Sequence, residues 1–207
     1  MQMPVVSQSD ILAFVVTTGF AAGLNVYATA FSLGLMARLH WIELPVGLEL
    51  LTSTGILVAS GCLFAVEVFA DKVPGFDLIW NALHTFVRIP VAALMAYAAG
   101  SGLSPEARVL ATCLGAAFAA IAHGSKTAAR VAVTPSPEPV SNIALSTAED
   151  AGAVGLSWIA VHHPIAGAAA VGVLAVSGCG MVYVGWRMLK AAFARMFRRG
   201  DVASGGV

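Results

Sequence analysis

The chain has 207 residues, 58% of them hydrophobic and 11% charged, with a mean hydropathy of +0.85. Soluble domains carry about 45–50% apolar and about 25% charged residues. This composition therefore excludes an ordinary cytosolic enzyme, a disordered chain and a nucleic-acid binder, and leaves an integral membrane protein. Eleven basic and eleven acidic residues give zero formal net charge, so no global field attracts phosphate backbones.

In chain order, no Lys or Arg precedes Arg38, and the uncharged run 11–37 is too long for the apolar core of a cleaved signal. It reads as a retained spanning helix with Asn25 near its middle. A span needs roughly 20 mainly apolar residues. Five further segments follow: 50–66, ending at Glu67; 78–100, with Arg88 and Pro90 inside; 107–133; 142–163; and 165–189. Pro164 separates the last two, because proline blocks helix continuation. The expected fold is an all-α polytopic bundle of about six transmembrane helices. It forms a single integral membrane domain over 1–207 with a basic tail at 190–207. Whether 78–100 breaks at Pro90 is left open.

Six spans place both termini on one side. Arg187, Lys190, Arg195, Arg198 and Arg199 favour the cytoplasm for that side, with Lys72, Lys126 and Arg130, leaving Arg38 and Arg108 outside. The expected location is the cell membrane, with both termini cytoplasmic. Phe20-Ala21-Ala22, leading to Thr29-Ala30, resembles Phe118-Ala119-Ala120, leading to Thr127-Ala128. That match suggests two inverted three-helix repeats, 11–100 and 105–190. A second match, Trp80 and His84 with Trp158 and His162, is out of register with it.

Two connections stand out. In 67–77 the pair Pro74-Gly75 marks a tight turn. In 134–142 three alternating prolines favour an extended segment, with Ser141 or Asn142 available to cap the next helix. Gly19 and Gly23 form a GxxxG that permits close helix contact. Cys62, Cys113 and Cys179 lie in apolar runs without a CxxC and read as small packing residues.

The charges carry the functional signal. An ion at the centre of a span costs about 2.5–3.5 kcal/mol by insertion scales, so it must face protein, water or a partner. Glu67 and Asp71 share one helix face, His84 and Arg88 another, Lys126 and Arg130 a third, and Glu149 and Asp150 follow. Asp150 lies eight residues past Asn142, roughly 12 Å along a helix at about 1.5 Å per residue. Asn25, Glu149 and Asp150 are thus expected deep, and Glu67, Asp71, His84, Arg88, Lys126 and Arg130 nearer the cytoplasm.

One reading makes these residues structural ion pairs. The other makes them a polar site for a proton, a cation or an anionic group. His123 reads as solvated or packed, and His162 and His163 as a helix end. No metal-binding spacing, GxSxG elbow or phosphate-binding loop occurs, so neither an enzyme nor a cofactor is expected. The expected partners are membrane lipids, with a small anionic substrate or lipid head group at the site and no nucleic acid. A homo-oligomer is left open.

The stretches EVFADKVPGFDLIWNALHTFVRIPVAAL, GSKTAARVAVTPSPEPVSN and STAED, with GLNVYAT earlier, resemble the membrane family catalogued as domain of unknown function 4126. The likeness spans nearly the whole chain and implies a bacterial multi-pass membrane protein. It carries no catalytic residues over. Family members often have two prolines after the arginine, where this chain has Arg88-Ile89-Pro90. A fainter likeness is to the DedA-type lipid-carrier flippases. The function expected from these signs is a small transporter or lipid-handling permease, proton- or cation-coupled, with a non-transporting scaffold or accessory subunit as the alternative.

Overall fold

The computed structural model describes residues 7–71, 76–133 and 139–204. Seven α-helices form there, with no strand among the described residues: α1 Gln8–Leu24, α2 Val26–Arg38, α3 Thr54–Ala70, α4 Phe76–Ala99, α5 Pro105–Val133, α6 Pro139–His162 and α7 Pro164–Ser204. A 3-10 turn over Val46–Thr52 precedes α3, and another, Gly100–Gly102, follows α4.

Local chemistry sets the boundaries. Ser7 and Asp10 form a reciprocal capping box at α1. Ser53 caps α3. Prolines open α5, α6 and α7, where a missing N–H costs nothing. α4 passes through Pro90 without a break. α6 begins at Pro139, so Ser141 and Asn142 lie inside its first turn and do not precede it as caps. Helix therefore starts within the proline-rich segment that was expected to be extended. The Pro74-Gly75 turn and the first two prolines of 134–142 lie outside the described residues.

The first apolar run is not one spanning helix. It breaks at Asn25, whose backbone is extended (φ −151°, ψ 104°). The neighbours of each half give its direction. Along α1, Gly19 meets Gly115 and Gly23 meets Ala119 and Ala122, so α1 runs parallel to α5. Along α2, Phe31 lies against Gly61 and Gly34 against Leu51 and Leu57, while Arg38 reaches Thr52 and Thr54. α2 therefore runs antiparallel to α3. Pairing of α4 with α5 is antiparallel too, since Thr85 and Arg88 meet His123 while Gly100 meets Arg108.

In consequence α1 and α2 form a helical hairpin that enters and leaves at one end of the bundle. Asp10, Glu43, Gly102 and Pro164 line one cavity at that first end. α3, α4, α5, α6 and α7 connect the two ends in alternation. Gly19 and Gly23 let α1 approach α5 closely: a Cβ at Gly19 would sit 2.7 Å from the Gly115 carbonyl oxygen, and one at Gly23 2.7 Å from Ala122 Cβ.

Three stretches, Ile79–Gly102, Pro105–Arg130 and Pro164–Met188, are long and apolar enough to cross a membrane. The pair Val46–Thr52 and Thr54–Ala70, bent by 69°, makes a fourth. The surface is apolar, with Leu63, Phe69, Phe86, Leu94, Val173 and Val176 exposed. The interior holds the charge: Arg88 and Arg130 are its largest fully buried side chains. Apolar outside and ionic inside is the arrangement a bilayer selects.

Three expectations are corrected here. Six alternating spans would bring both chain ends to one side, but the hairpin at Asn25 removes one crossing. The start of α1 and the far end of α7 therefore lie at opposite ends of the bundle. The matched stretches Phe20–Ala30 and Phe118–Ala128 lie on helices that start in the same direction, and only the first is broken, so no inversion relates them. The cysteines are exposed on their helices and do not pack the interior.

A topology measurement follows. With the native cysteines replaced by alanine, single cysteines at Glu43 and Lys190 should label with an impermeant maleimide from opposite faces of oriented vesicles. Labelling of both from one face would contradict the hairpin.

Candidate functional site

The nine residues singled out in the sequence come together as one buried cluster. Glu67 and Asp71 project from the end of α3, Arg88 from α4, Lys126 and Arg130 from α5, and Glu149 and Asp150 from α6. The two expected depth tiers merge, because the hairpin tip at Asn25 and the first half of α6 meet the α3–α5 ions at one level.

The cations sit between the acids. Arg88 Nη2 pairs with Glu67 Oε1. Lys126 Nζ lies 3.4 Å from Glu67 Oε1, 2.8 Å from Asp71 Oδ2 and 3.2 Å from Glu149 Oε2. Arg130 Nη2 lies 3.0 Å from Asp71 Oδ2 and 2.6 Å from Glu149 Oε2, and its Nη1 donates to the Asp71 carbonyl at 2.8 Å. Four helices are thus tied by one chain of charge-assisted contacts, each stronger in a dry interior than in water.

The hairpin tip joins this cluster. Asn25 Oδ1 accepts from the Ala28 backbone N–H at 2.9 Å and so caps α2. Its Nδ2 donates to Asp150 Oδ1 at 2.9 Å. Leu24, the last residue of α1, leaves a carbonyl that no helical N–H takes, and Lys126 Nζ donates to it at 3.1 Å. A helix carries roughly half a negative charge at its C-terminus and half a positive charge at its N-terminus. Lys126 therefore meets the negative end of α1. Asp150, through Asn25, stands by the positive end of α2.

Four residues outside the nine belong to the same site. Asn81 Oδ1 accepts from Arg88 Nη1 at 3.0 Å. His123 Nδ1 lies 3.0 Å from the same nitrogen, and its Nε2 lies 2.7 Å from Thr85 Oγ1. Tyr27, on the first turn of α2, meets His84 Nε2 at 3.1 Å. The spacing held a signal for two of them. Asn81 is seven residues before Arg88 and His123 seven before Arg130, so each shares its helix face with an expected ion. Tyr27 lies in the GLNVYAT stretch but at no helical spacing from an expected ion, and it arrives because the hairpin turns α2 back.

Several buried polar atoms have no hydrogen-bond partner among the described residues: Glu67 Oε2, Asn81 Nδ2, Arg88 Nε, Ser146 Oγ and Glu149 Oε1. Such atoms cost about 1–3 kcal/mol each when left unmade. They give the cluster spare acceptors and donors beside its ion pairs. Two cavities lie elsewhere. One of about 650 Å³ opens at the first end among Asp10, Phe14, Glu43 and Val46, and a groove of about 510 Å³ runs between α5 and α7 along Ile121, Gly124 and Val182. Neither is lined by Asp150 or another cluster member. At the far end of α6, His162 stacks on Trp158 and its Nδ1 lies 3.0 Å from the Trp158 carbonyl oxygen, as a helix-end pair.

A family model, described as a domain of unknown function (DUF4126), matches residues 12–183. Neither a curated protein nor a solved structure matches the chain.

The pairing predicts a specific stability pattern. Glu67→Gln removes the carboxylate held by the buried Arg88 and should cost about 3–5 kcal/mol. Adding Arg88→Gln should recover most of that loss. Thermal unfolding of the three purified proteins in one detergent checks this. A single variant within about 0.5 kcal/mol of wild type, the range of a bland surface change, would contradict the pairing.

Proposed function

Because the chain belongs to the family described as domain of unknown function 4126, a membrane-like helical protein whose family name assigns no activity, we propose that it is a small transporter or lipid-handling permease. Its intramembrane site would be the tip of the α1–α2 hairpin with the ions around it. In this reading five helices cross the bilayer, and the hairpin is a re-entrant element inserted from the first end. Arg130, Arg187 and Lys190 lie toward the second end. The positive-inside rule then puts that end, with the C-terminus, in the cytoplasm and the start of α1 outside.

One observation carries the proposal. A helix breaks inside the bundle, and each exposed half-helix end is met by an ionisable side chain of complementary sign, Lys126 at Leu24 and Asp150 at Asn25. Irregular backbone survives at membrane depth only where protein or a polar cavity satisfies it. Broken helices whose ends face charge are a recurrent way to bind ions and small solutes in transporters. Here the acids Glu67, Asp71, Glu149 and Asp150 would exchange a proton or cation, and Arg88, Lys126 and Arg130 would attract an anionic group. The unpartnered atoms of Glu67, Asn81, Arg88 and Glu149 supply further bonding positions. Binding would disturb a network that already spans four helices, which links occupancy to helix movement.

The scaffold reading has one observation in its favour. Arg88, Arg130, Glu67 and Asp71 are wholly buried and mutually paired, and both cavities lie away from them. Buried pairs of this kind also fix helix register.

Liposome flux separates the two. Protein in vesicles with an imposed pH gradient, tested against small inorganic and carboxylate anions and a fluorescent anionic phospholipid, should move at least one of them faster than protein-free vesicles. Asp150→Asn should abolish that movement while its insertion and unfolding temperature stay near wild type. Wild-type protein that moves none of the panel, or an Asp150→Asn variant of full activity, contradicts the transport reading.

A further inference from the structure

Two imidazoles lie in the site, and their hydrogen bonds assign them different chemistry. His123 Nδ1 lies 3.0 Å from Arg88 Nη1. A guanidinium offers only donors, so this nitrogen must accept and holds no proton. The other nitrogen, Nε2, carries the proton and donates to Thr85 Oγ1 at 2.7 Å; the Thr85 hydroxyl passes its own hydrogen to the Asn81 carbonyl at 3.2 Å. A second proton on His123 would set N–H against N–H. His123 is therefore a fixed neutral spacer.

His84 is built differently. Its Nδ1 lies 2.8 Å from the Trp80 carbonyl oxygen, which can only accept, so Nδ1 carries a proton in every state. Its Nε2 lies 3.1 Å from the Tyr27 hydroxyl, which can donate or accept. Neutral His84 takes the Tyr27 hydrogen at Nε2. Doubly protonated His84 donates from Nε2 to a Tyr27 oxygen that has turned its hydrogen away. Both states keep two hydrogen bonds, and the heavy atoms need not move.

The surroundings suit a reversible charge. The site around His84 holds Glu67 from α3 and the neutral His123 from α5. Arg88 stands four residues further along α4, already engaged by Glu67 and Asn81. Trp80 lies against the ring at 4.3 Å between centroids, tilted by 34°, and Tyr27 meets it edge-on at 5.6 Å. His84 keeps 8% exposure, beside Asp150 at 9% and Glu149 at 6%, while Glu67, Asp71, Arg88 and Arg130 keep none. It is thus a member of the site's rim, next to the hairpin through Tyr27.

We propose that His84 is a proton-binding residue of this site beside the acids, taking a proton at Nε2 and turning the Tyr27 hydroxyl from donor to acceptor. This names the proton as the coupling ion and deepens the transport reading, on which its purpose rests. Tyr27 lies two residues past Asn25, so the hydroxyl that reorients when His84 gains its charge belongs to the hairpin tip.

The test is ¹⁵N-histidine NMR of the full chain in lipid nanodiscs, with signals assigned through His84→Gln and His123→Gln. The chain has five histidines, so assignment is tractable. As pH is lowered through a titration series, His84 should pass from the Nδ1–H neutral form to the imidazolium. His123 should remain the Nε2–H neutral form throughout. Tyr27→Phe, which removes the partner at Nε2 alone, should shift the His84 midpoint and leave the His123 signal in place. A His84 that stays neutral over the whole range, a neutral His84 in the Nε2–H form, or a His123 that titrates in its stead overturns the proposal. If His84 titrates as described in a protein that moves nothing across liposomes, the transport reading fails and this assignment stands.

Discussion

The close approach of α1 to α5 is the contact on which the rest depends. Gly19 and Gly23 on one helix, and Gly115, Ala119 and Ala122 on the other, remove the side chains that would hold the backbones apart. That approach carries the end of α1 down to the level of Lys126. There the free carbonyl of Leu24 finds its donor. Without that donor a helix could not end inside an apolar bundle, since an unmet backbone group in hydrocarbon costs several kcal/mol. The hairpin, the ion cluster and the reversed position of α2 all follow from this one meeting.

The cluster in turn explains how so many charges survive in a chain so apolar. Lys126 and Arg130 each lie between acids from different helices, Arg88 pairs with Glu67, and Lys126 and Arg130 link the α3–α4 pair to the α5–α6 pair through Glu67 and Asp71. Lys126 and Arg130 both bridge Asp71 and Glu149, so either acid can change its charge without leaving a cation bare. Such sharing ties helices together in a scaffold, and in a site that exchanges an ion it would also neutralise the intermediate states. The Tyr27 partner at His84 Nε2 and the Arg88 donor at His123 Nδ1 extend that logic to the two imidazoles.

Much of this was legible in the residues. Helical spacing put Glu67 with Asp71, His84 with Arg88 and Lys126 with Arg130, and the cost of charge in lipid required each set to find partners. The GxxxG of α1 announced a close contact, and α5 supplied it. The hairpin was not legible, because 11–37 is uniformly apolar and longer than a span. A single asparagine in it reads equally as a polar spot in a straight helix or as a cap between two. Only tertiary packing decides, through the Leu24–Lys126 and Asn25–Asp150 contacts a hundred residues away in sequence. The misjudged topology, the merged depth tiers and the overlooked Tyr27 all descend from that one ambiguity. At Pro139 helix begins inside a segment expected to be extended, because proline is tolerated at the first helical position.

Lys126 sits among acids at the tip of a helical hairpin inside the bundle. Solid-state NMR on the protein in lipid bilayers tests it directly, because the chain has only three lysines and Lys126→Gln identifies the signal. Dipolar coupling between ¹⁵Nζ of Lys126 and ¹³C-labelled side-chain carboxylates should report close contacts to Asp71 and Glu149, together with a contact to the Leu24 carbonyl carbon. An Nζ signal that couples to none of these and exchanges freely with water would contradict the account.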